Sequence, residues 1–172
     1  PLVSNEERMR FVLKLTLQNI EKTTGGPFGA AVFERESGQL VSVGVNVVLN
    51  QGCSAAHAEM MAIMLAQQEL GTHDLGIADL PEFQLVTSGK MCAMCLGSVV
   101  WSGVREVLAS AQPEDVENIV GFDEGPAPAD YDQQLEKRGI SIIPSFLREE
   151  GCAVLQRYVE LEGVVYNPSR NS

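Results

Sequence analysis

Helix-type and strand-type hydrophobic patterns alternate along this chain of 172 residues. An amphipathic helix is predicted to start at Ser4, with Glu7 completing a capping box, and to end at the Gly25-Gly26-Pro27 break. Two strands rich in Val and Phe follow over residues 28–33 and 40–49, joined by a polar hairpin that contains Gly. The later elements are predicted as a helix over 57–70, a strand over 83–87, a helix over 92–101, a strand over 104–111, acidic helical turns, a strand over 140–143 and a helix over 146–161. This order predicts an α/β fold, a three-layer α/β/α sandwich around one mixed five-stranded sheet.

Length and charge restrict the class of protein. The chain fits one domain spanning residues 1–172, without repeats or a dividing linker. Its longest apolar run, Met60–Ala66, is far shorter than the roughly 18 residues that a membrane span needs, and no export leader is visible, so a cytoplasmic protein is expected. Lys and Arg number 12 against 23 Asp and Glu, a net charge of −11, which disfavours nucleic-acid and membrane partners because phosphate contacts need cations.

The four cysteines are unequal in their spacing. They permit two disulfides, but a chain of this size does not need such cross-links, and reduced thiols are favoured. Cys92 and Cys95 form a C-x-x-C pair, which is typical of metal-binding or redox-active sites. Cys53 and Cys152 have no partner at such a spacing, and both are expected to be small buried apolar residues.

Two short motifs begin successive predicted helices. The first is His57-Ala58-Glu59, and the second is the C-x-x-C pair, whose cysteines share one helix face. One imidazole and two thiolates give zinc three ligands and leave its fourth position open, as in catalytic sites where the metal acidifies a bound water. Glu59 is then the candidate to carry protons. Each feature alone has an ordinary explanation as packed thiols, a core histidine or a solvated acid, so the combination is what predicts one zinc per chain.

H-x-E and C-x-x-C separated by about 35 residues are the signature of zinc-dependent nucleobase deaminases. The chain resembles this cytidine deaminase-like superfamily over nearly its whole length and, within it, the bacterial guanine deaminases. The matching stretches are residues 26–32, 53–59, 95–104 and 121–125.

The resemblance implies roles for residues around the predicted zinc ligands His57, Cys92 and Cys95. It makes Glu124 a second proton carrier near the leaving amine, and it makes Phe28 and Phe122 a sandwich for the flat base, which aromatic faces suit. Asn46 would bind the base through its amide, and Ala58 would do so through its backbone N–H. The resemblance also implies a small-molecule nucleobase substrate and a homodimer, with the segment around Tyr166 close to the site in some relatives.

One departure from the family pattern stands directly before the first cysteine. The family usually has Glu-Pro there, and this chain has Lys90-Met91. Proline pre-sets the backbone of a first helical turn, and a cation near a helix N-terminus and a metal is mildly unfavourable. Zinc binding is expected to survive, whereas catalytic efficiency or base preference is expected to differ.

Four functions remain open at this point. The favoured one is hydrolysis of guanine to xanthine and ammonia. A tRNA adenosine deaminase is the nearest alternative, but residues 106–136 contain nine acids and neither Lys nor Arg, which suits RNA poorly. Cytosine or amino-triazine (ammeline-type) deamination is a third possibility, and a zinc-stabilised module without catalysis is the fourth.

Overall fold

The structure is a computed structural model and describes residues 1–169. Within them, five strands form one sheet and seven helices surround it. The strands are β1 (Gly29–Glu34), β2 (Leu40–Val45), β3 (Phe83–Gly89), β4 (Glu106–Ala111) and β5 (Ser141–Ile143). The helices are α1 (Asn5–Glu21), α2 (Val48–Gln51), α3 (Ala58–Leu70), α4 (Ala93–Ser102), α5 (Pro113–Ile119), α6 (Tyr131–Glu136) and α7 (Arg148–Glu160).

The sheet is mixed, as predicted. Its strand order is β2-β1-β3-β4-β5. β1 pairs antiparallel with both β2 and β3, whereas β3–β4 and β4–β5 are parallel pairs. Parallel neighbours need a crossover connection, and α4 supplies it between β3 and β4.

Both faces of the sheet are covered, which confirms the three-layer prediction. Successive side chains of a strand point to opposite faces, so Ala30 and Val32 of β1 pack in the cluster that contains α3 and α4. Ala31 and Phe33 pack on the other face against residues of α1. Among residues 1–169, no helix combines the length and the apolar character needed to cross a membrane.

The second predicted strand is too long. β2 ends at Val45, and the apolar residues that follow form the short helix α2, closed by Gly52 in the left-handed region at φ +58°. The reason lies in Asn46, whose Oδ1 accepts a hydrogen bond from the Val48 N–H at 3.3 Å. This local bond gives the backbone an alternative to the sheet. The chain therefore leaves β2 just before it reaches the site.

The two helices that carry the sequence motifs start at equivalent places. His57 is the N-cap of α3 and Cys92 is the N-cap of α4, both with extended backbone. Each helix ends at a glycine in the left-handed conformation, Gly71 for α3 and Gly103 for α4. The amino ends of α3 and α4, which contact each other, bring the two motifs together.

Candidate active site

The three predicted metal ligands lie together. The Nδ1 atom of His57 is 3.5 Å from Sγ of Cys92 and 3.5 Å from Sγ of Cys95. All three ligand atoms lie within 4.8 Å of one another. A tetrahedral zinc with ordinary Zn–N and Zn–S bonds separates nitrogen from sulfur by about 3.5 Å. The donor set and its spacing therefore fit zinc, with a fourth position open.

A hydrogen bond between the two thiols shifts their pKa values in opposite directions. A hydrogen bond from the Cys95 thiol lowers the pKa of Cys92 to about 4, and the same bond together with burial raises the pKa of Cys95. Burial lowers the pKa of His57, but the Cys92 thiolate and nearby carboxylates raise it by more, so the net shift is upward. Ligating cysteines are deprotonated, so metal binding releases the proton that the thiols hold.

Glu59 lies in the first turn of α3 with only 6% of its surface exposed. Its Oε2 is 3.5 Å from the Cys95 thiol, which places the carboxyl beside the ligand group. Burial, followed by the Cys92 thiolate, raises the pKa of Glu59 to about 7. A metal cation on the neighbouring ligands would favour the ionised carboxylate and lower this pKa.

Glu124 faces the same cavity from a different part of the chain. Its backbone oxygen accepts a hydrogen bond from the Ala93 N–H at 3.1 Å, which ties the Glu124 loop to the start of α4. Burial, then the Cys92 thiolate and Glu59, raise the pKa of Glu124 to about 8. The structure thus brings the second predicted acid to the site, 65 residues beyond the first.

The site opens into a cavity of about 310 Å³. Phe28 and Phe122 both line it, with ring centroids 5.6 Å apart and planes tilted by 59°. The two rings touch each other, so a base between them would require the rings to separate. Both residues to which the resemblance assigns base stacking therefore lie in the cavity wall.

The two polar groups expected to bind the base are placed differently. Asn46 is 1% exposed and lines the cavity. Ala58 is fully buried as the first residue of α3, where a backbone N–H has no partner within the helix, and it is absent from the cavity lining of the described residues. The structure therefore brings Asn46 to the cavity wall, and Ala58 lies between the cavity-lining residues His57 and Glu59.

The segment near the end of the described chain forms a further wall. Tyr166, Asn167 and Pro168 line the cavity, and the Tyr166 ring lies 4.6 Å from the Phe122 ring. Asn167 holds this segment in place, because its Oδ1 accepts a hydrogen bond from the Asp123 N–H and its Nδ2 donates to the Gly121 carbonyl. No pattern in the sequence signals Asn167 as a wall residue, since its partners lie more than 40 positions earlier.

The two cysteines outside the ligand group differ in their exposure to solvent. All four thiols are free, as expected. Cys53 is exposed, so the prediction that it is buried is wrong. It lies in the turn between α2 and α3, where few elements cover it. Cys152 in α7 is half-buried.

Known proteins resemble this chain in sequence and fold. The family profile described as "Cytidine and deoxycytidylate deaminase zinc-binding region" matches residues 3–111. A guanine deaminase of Bacillus subtilis is 29% identical over 147 residues, which cover 86% of this chain and 89% of that protein. A solved guanine deaminase from Nitrosomonas europaea is 50% identical with a TM-score of 0.89, covering 91% of this chain and 85% of its own.

A protein solved in complex with 2,6-diaminopurine is 51% identical with a TM-score of 0.91, covering 96% of this chain and 87% of its own. The family profile spans well over half of the sequence and includes His57, Glu59, Cys92 and Cys95. The chain therefore belongs to the cytidine and deoxycytidylate deaminase family and is a zinc-dependent aminohydrolase.

Proposed function

We propose that this protein hydrolyses a free amino-purine, guanine, to xanthine and ammonia. The observation that carries the proposal is the meeting of two carboxyl groups, Glu59 and Glu124, with one metal-ligand group in a single cavity. Relatives that cover most of the chain are guanine deaminases, and a neighbour at 51% identity binds a diaminopurine. The cavity walls also include aromatic rings suited to a flat base.

Each residue has a distinct task in the proposed reaction. His57, Cys92 and Cys95 would hold zinc, which when bound lowers the pKa of a water that it activates. Glu59, buried beside the ligands, would accept one proton of the attacking water and deliver it to the ring nitrogen next to the amino-bearing carbon. Glu124 would protonate the departing amine and regain a proton from the remaining O–H of the attacking water as that oxygen becomes the carbonyl of xanthine. Water thus supplies the oxygen of xanthine, and the amino group leaves as ammonia.

Recognition of the base is assigned to the cavity walls. Once their rings separate, Phe28 and Phe122 would lie against the ring faces of guanine, and Asn46 would offer its amide as both donor and acceptor. Ala58 would contribute its backbone N–H from the start of α3. These contacts orient the amino-bearing carbon toward the metal, where the two carboxyl groups converge.

A substrate panel on zinc-loaded protein tests the proposal. We expect guanine to be consumed, followed by the loss of its absorbance and by ammonia release, and to be preferred over cytosine, adenine, ammeline and tRNA. Rapid deamination of tRNA adenosine without any turnover of guanine would replace the proposal with the RNA alternative. Zinc-loaded protein that turns over none of these compounds would identify a non-catalytic zinc module.

Replacing Glu124 tests its assignment. We expect Glu124→Gln to lower kcat for guanine by about 100-fold, the scale of one lost proton-transfer group, with zinc content unchanged because Glu124 is not a ligand. Glu114→Gln, an exposed change on α5, is the matched control and is expected to leave kcat unchanged. Equal rates in Glu124→Gln and the unaltered protein would make Glu124 an acid of the cavity wall only.

We also propose that the protein acts as a cytoplasmic homodimer in purine metabolism. The outer faces of α3 and α4 expose Met64, Leu65 and Trp101, the last with 84% of its surface accessible. Exposed apolar patches mark surfaces for protein contact. A monomeric mass by light scattering would contradict the dimer.

A further inference from the structure

Lys90 is one of the two residues that depart from the family pattern. It lies at the site, and its ammonium forms an ion pair. It lines the cavity two residues before the ligand Cys92, and its side chain is 12% exposed. Its Nζ is 2.6 Å from Oδ1 of Asp132 and 4.5 Å from the centroid of the Tyr131 ring. It is the only Lys or Arg among the described residues that line this cavity.

The partners of Lys90 belong to the part of the chain that carries Glu124. Residues 121–128 have no helix or strand, and α6 begins at Tyr131. Besides the ion pair, the Tyr131 hydroxyl donates to the Met91 carbonyl at 3.0 Å, and the Ala93 N–H donates to the Glu124 carbonyl. With the contact between the Lys90 ammonium and the Tyr131 ring, four contacts therefore hold residues 124–132 against residues 90–93.

The ion pair at Lys90 differs from an ordinary surface pair. Although 41% of the Asp132 side chain is exposed, its Oδ1 is buried and has no hydrogen-bond partner among the described residues, so the ion pair with the Lys90 ammonium is its compensating contact. Removing Lys90 would leave that oxygen buried without a counter-charge, which is costly. Lys137 and Asp130, on the same part of the chain, are 3.8 Å apart with both side chains exposed, and such pairs contribute little.

We propose that Lys90 is a positioning residue for the deamination reaction. It fastens residues 124–132 to the metal-ligand turn through Asp132 and the Tyr131 ring, and it thereby holds the Glu124 carboxyl at the cavity. This inference rests on the function proposed above, in which Glu124 protonates the departing amine. It also explains how the chain accommodates a cation beside the amino end of α4, where the sequence alone predicts an unfavourable charge.

Steady-state kinetics with guanine test the inference through Glu124. We expect Lys90→Met to lower kcat roughly 10- to 100-fold, the range that a misplaced catalytic group produces, with KM within about threefold of normal. In the Glu124→Gln background the same change is expected to have no further effect on kcat, because Lys90 acts through the group already removed. A simple loss of stability would lower the rate in both backgrounds.

Two further variants complete the design. Asp132→Asn breaks the pair from the other side and is expected to lower kcat in the same way. Lys137→Met removes an exposed lysine from the same part of the chain and is expected to leave kcat unchanged. Normal kcat in Lys90→Met, or an equal loss in the presence and absence of Glu124, would overturn the inference.

Hydrogen exchange measures, independently of activity, whether Lys90 holds residues 124–132 in place. In Lys90→Met we expect faster exchange of backbone amides within residues 124–132, and no such change in Lys137→Met. If guanine is not turned over by the unaltered protein, the proposed function fails, and exchange still decides whether Lys90 fastens this segment. Unchanged exchange in Lys90→Met would show that Lys90 does not hold residues 124–132 in place, whatever the substrate is.

Discussion

Replacing Glu59 by Gln is expected to abolish guanine deamination while the protein retains its zinc. The carboxyl is buried beside the ligand group, 3.5 Å from the Cys95 thiol, and it is not itself one of the three ligand residues. An amide of the same shape cannot take up and release the proton, so we expect kcat to fall by about 10³- to 10⁴-fold, the upper range for one acid-base group. The measurement is kcat for guanine together with the zinc content of each preparation.

Glu69→Gln provides the matched control for this prediction. Glu69 lies on the same helix, α3, but is exposed to solvent. We expect it to retain full activity and full zinc. If Glu59→Gln remained active with normal zinc content, another group would have to carry the proton. If it lost zinc instead, Glu59 would be needed for the metal and not only for proton transfer.

Replacing Cys95 by Ser is expected to remove both the metal and the activity. The unaltered protein should contain about one zinc per chain. Loss of one of only three protein ligands leaves two, and Cys95 is fully buried, where few other donors can replace it. We expect the purified variant to contain little or no zinc and its kcat to fall by at least about 10³-fold. Metal analysis and guanine turnover on the same sample provide the test.

Cys53→Ser separates loss of a ligand from loss of any cysteine. Cys53 is exposed and lies outside the ligand group, so this variant should keep both zinc and turnover. A Cys95→Ser protein that retained one zinc per chain would show that the metal is bound elsewhere. Active Cys95→Ser protein without metal would contradict the zinc-dependent reaction itself.

The fold was predictable from the sequence because its elements have strong hydrophobic periods. The capping box at Ser4 and Glu7 is present in the structure, and α1 follows it. The error at the end of β2 has a local cause. Residues 47–49 are apolar and read as a strand, but the Asn46 side chain bonds to the Val48 N–H and favours a turn. The hydrophobic pattern alone does not reveal that a single polar side chain competes with the sheet for a backbone hydrogen bond.

From spacing alone the site was predictable only where its residues form local motifs, whereas Glu124, Phe122 and Asn46 were predicted from the resemblance to the family. His57 with Glu59, and Cys92 with Cys95, are each close in sequence and each mark the start of a helix. The pairing of Lys90 with Asp132 spans 42 positions and depends on where α6 packs. Whether the Lys90 charge stabilises or destabilises the site also depends on Asp132. A cation is unfavourable beside a metal, but a neighbouring carboxylate compensates its charge.

The cavity is built from two stretches of chain, one within the residues that the family profile matches and one beyond them. The metal ligands and Glu59 lie within residues 3–111, whereas Phe122, Glu124 and Tyr166 lie beyond them. Substitutions in the later stretch can reshape the space for a base without changing a ligand. An evolving or engineered version of this protein can therefore acquire a new substrate through changes in its last third, while the metal ligands and Glu59 are inherited unaltered and Glu124 is kept.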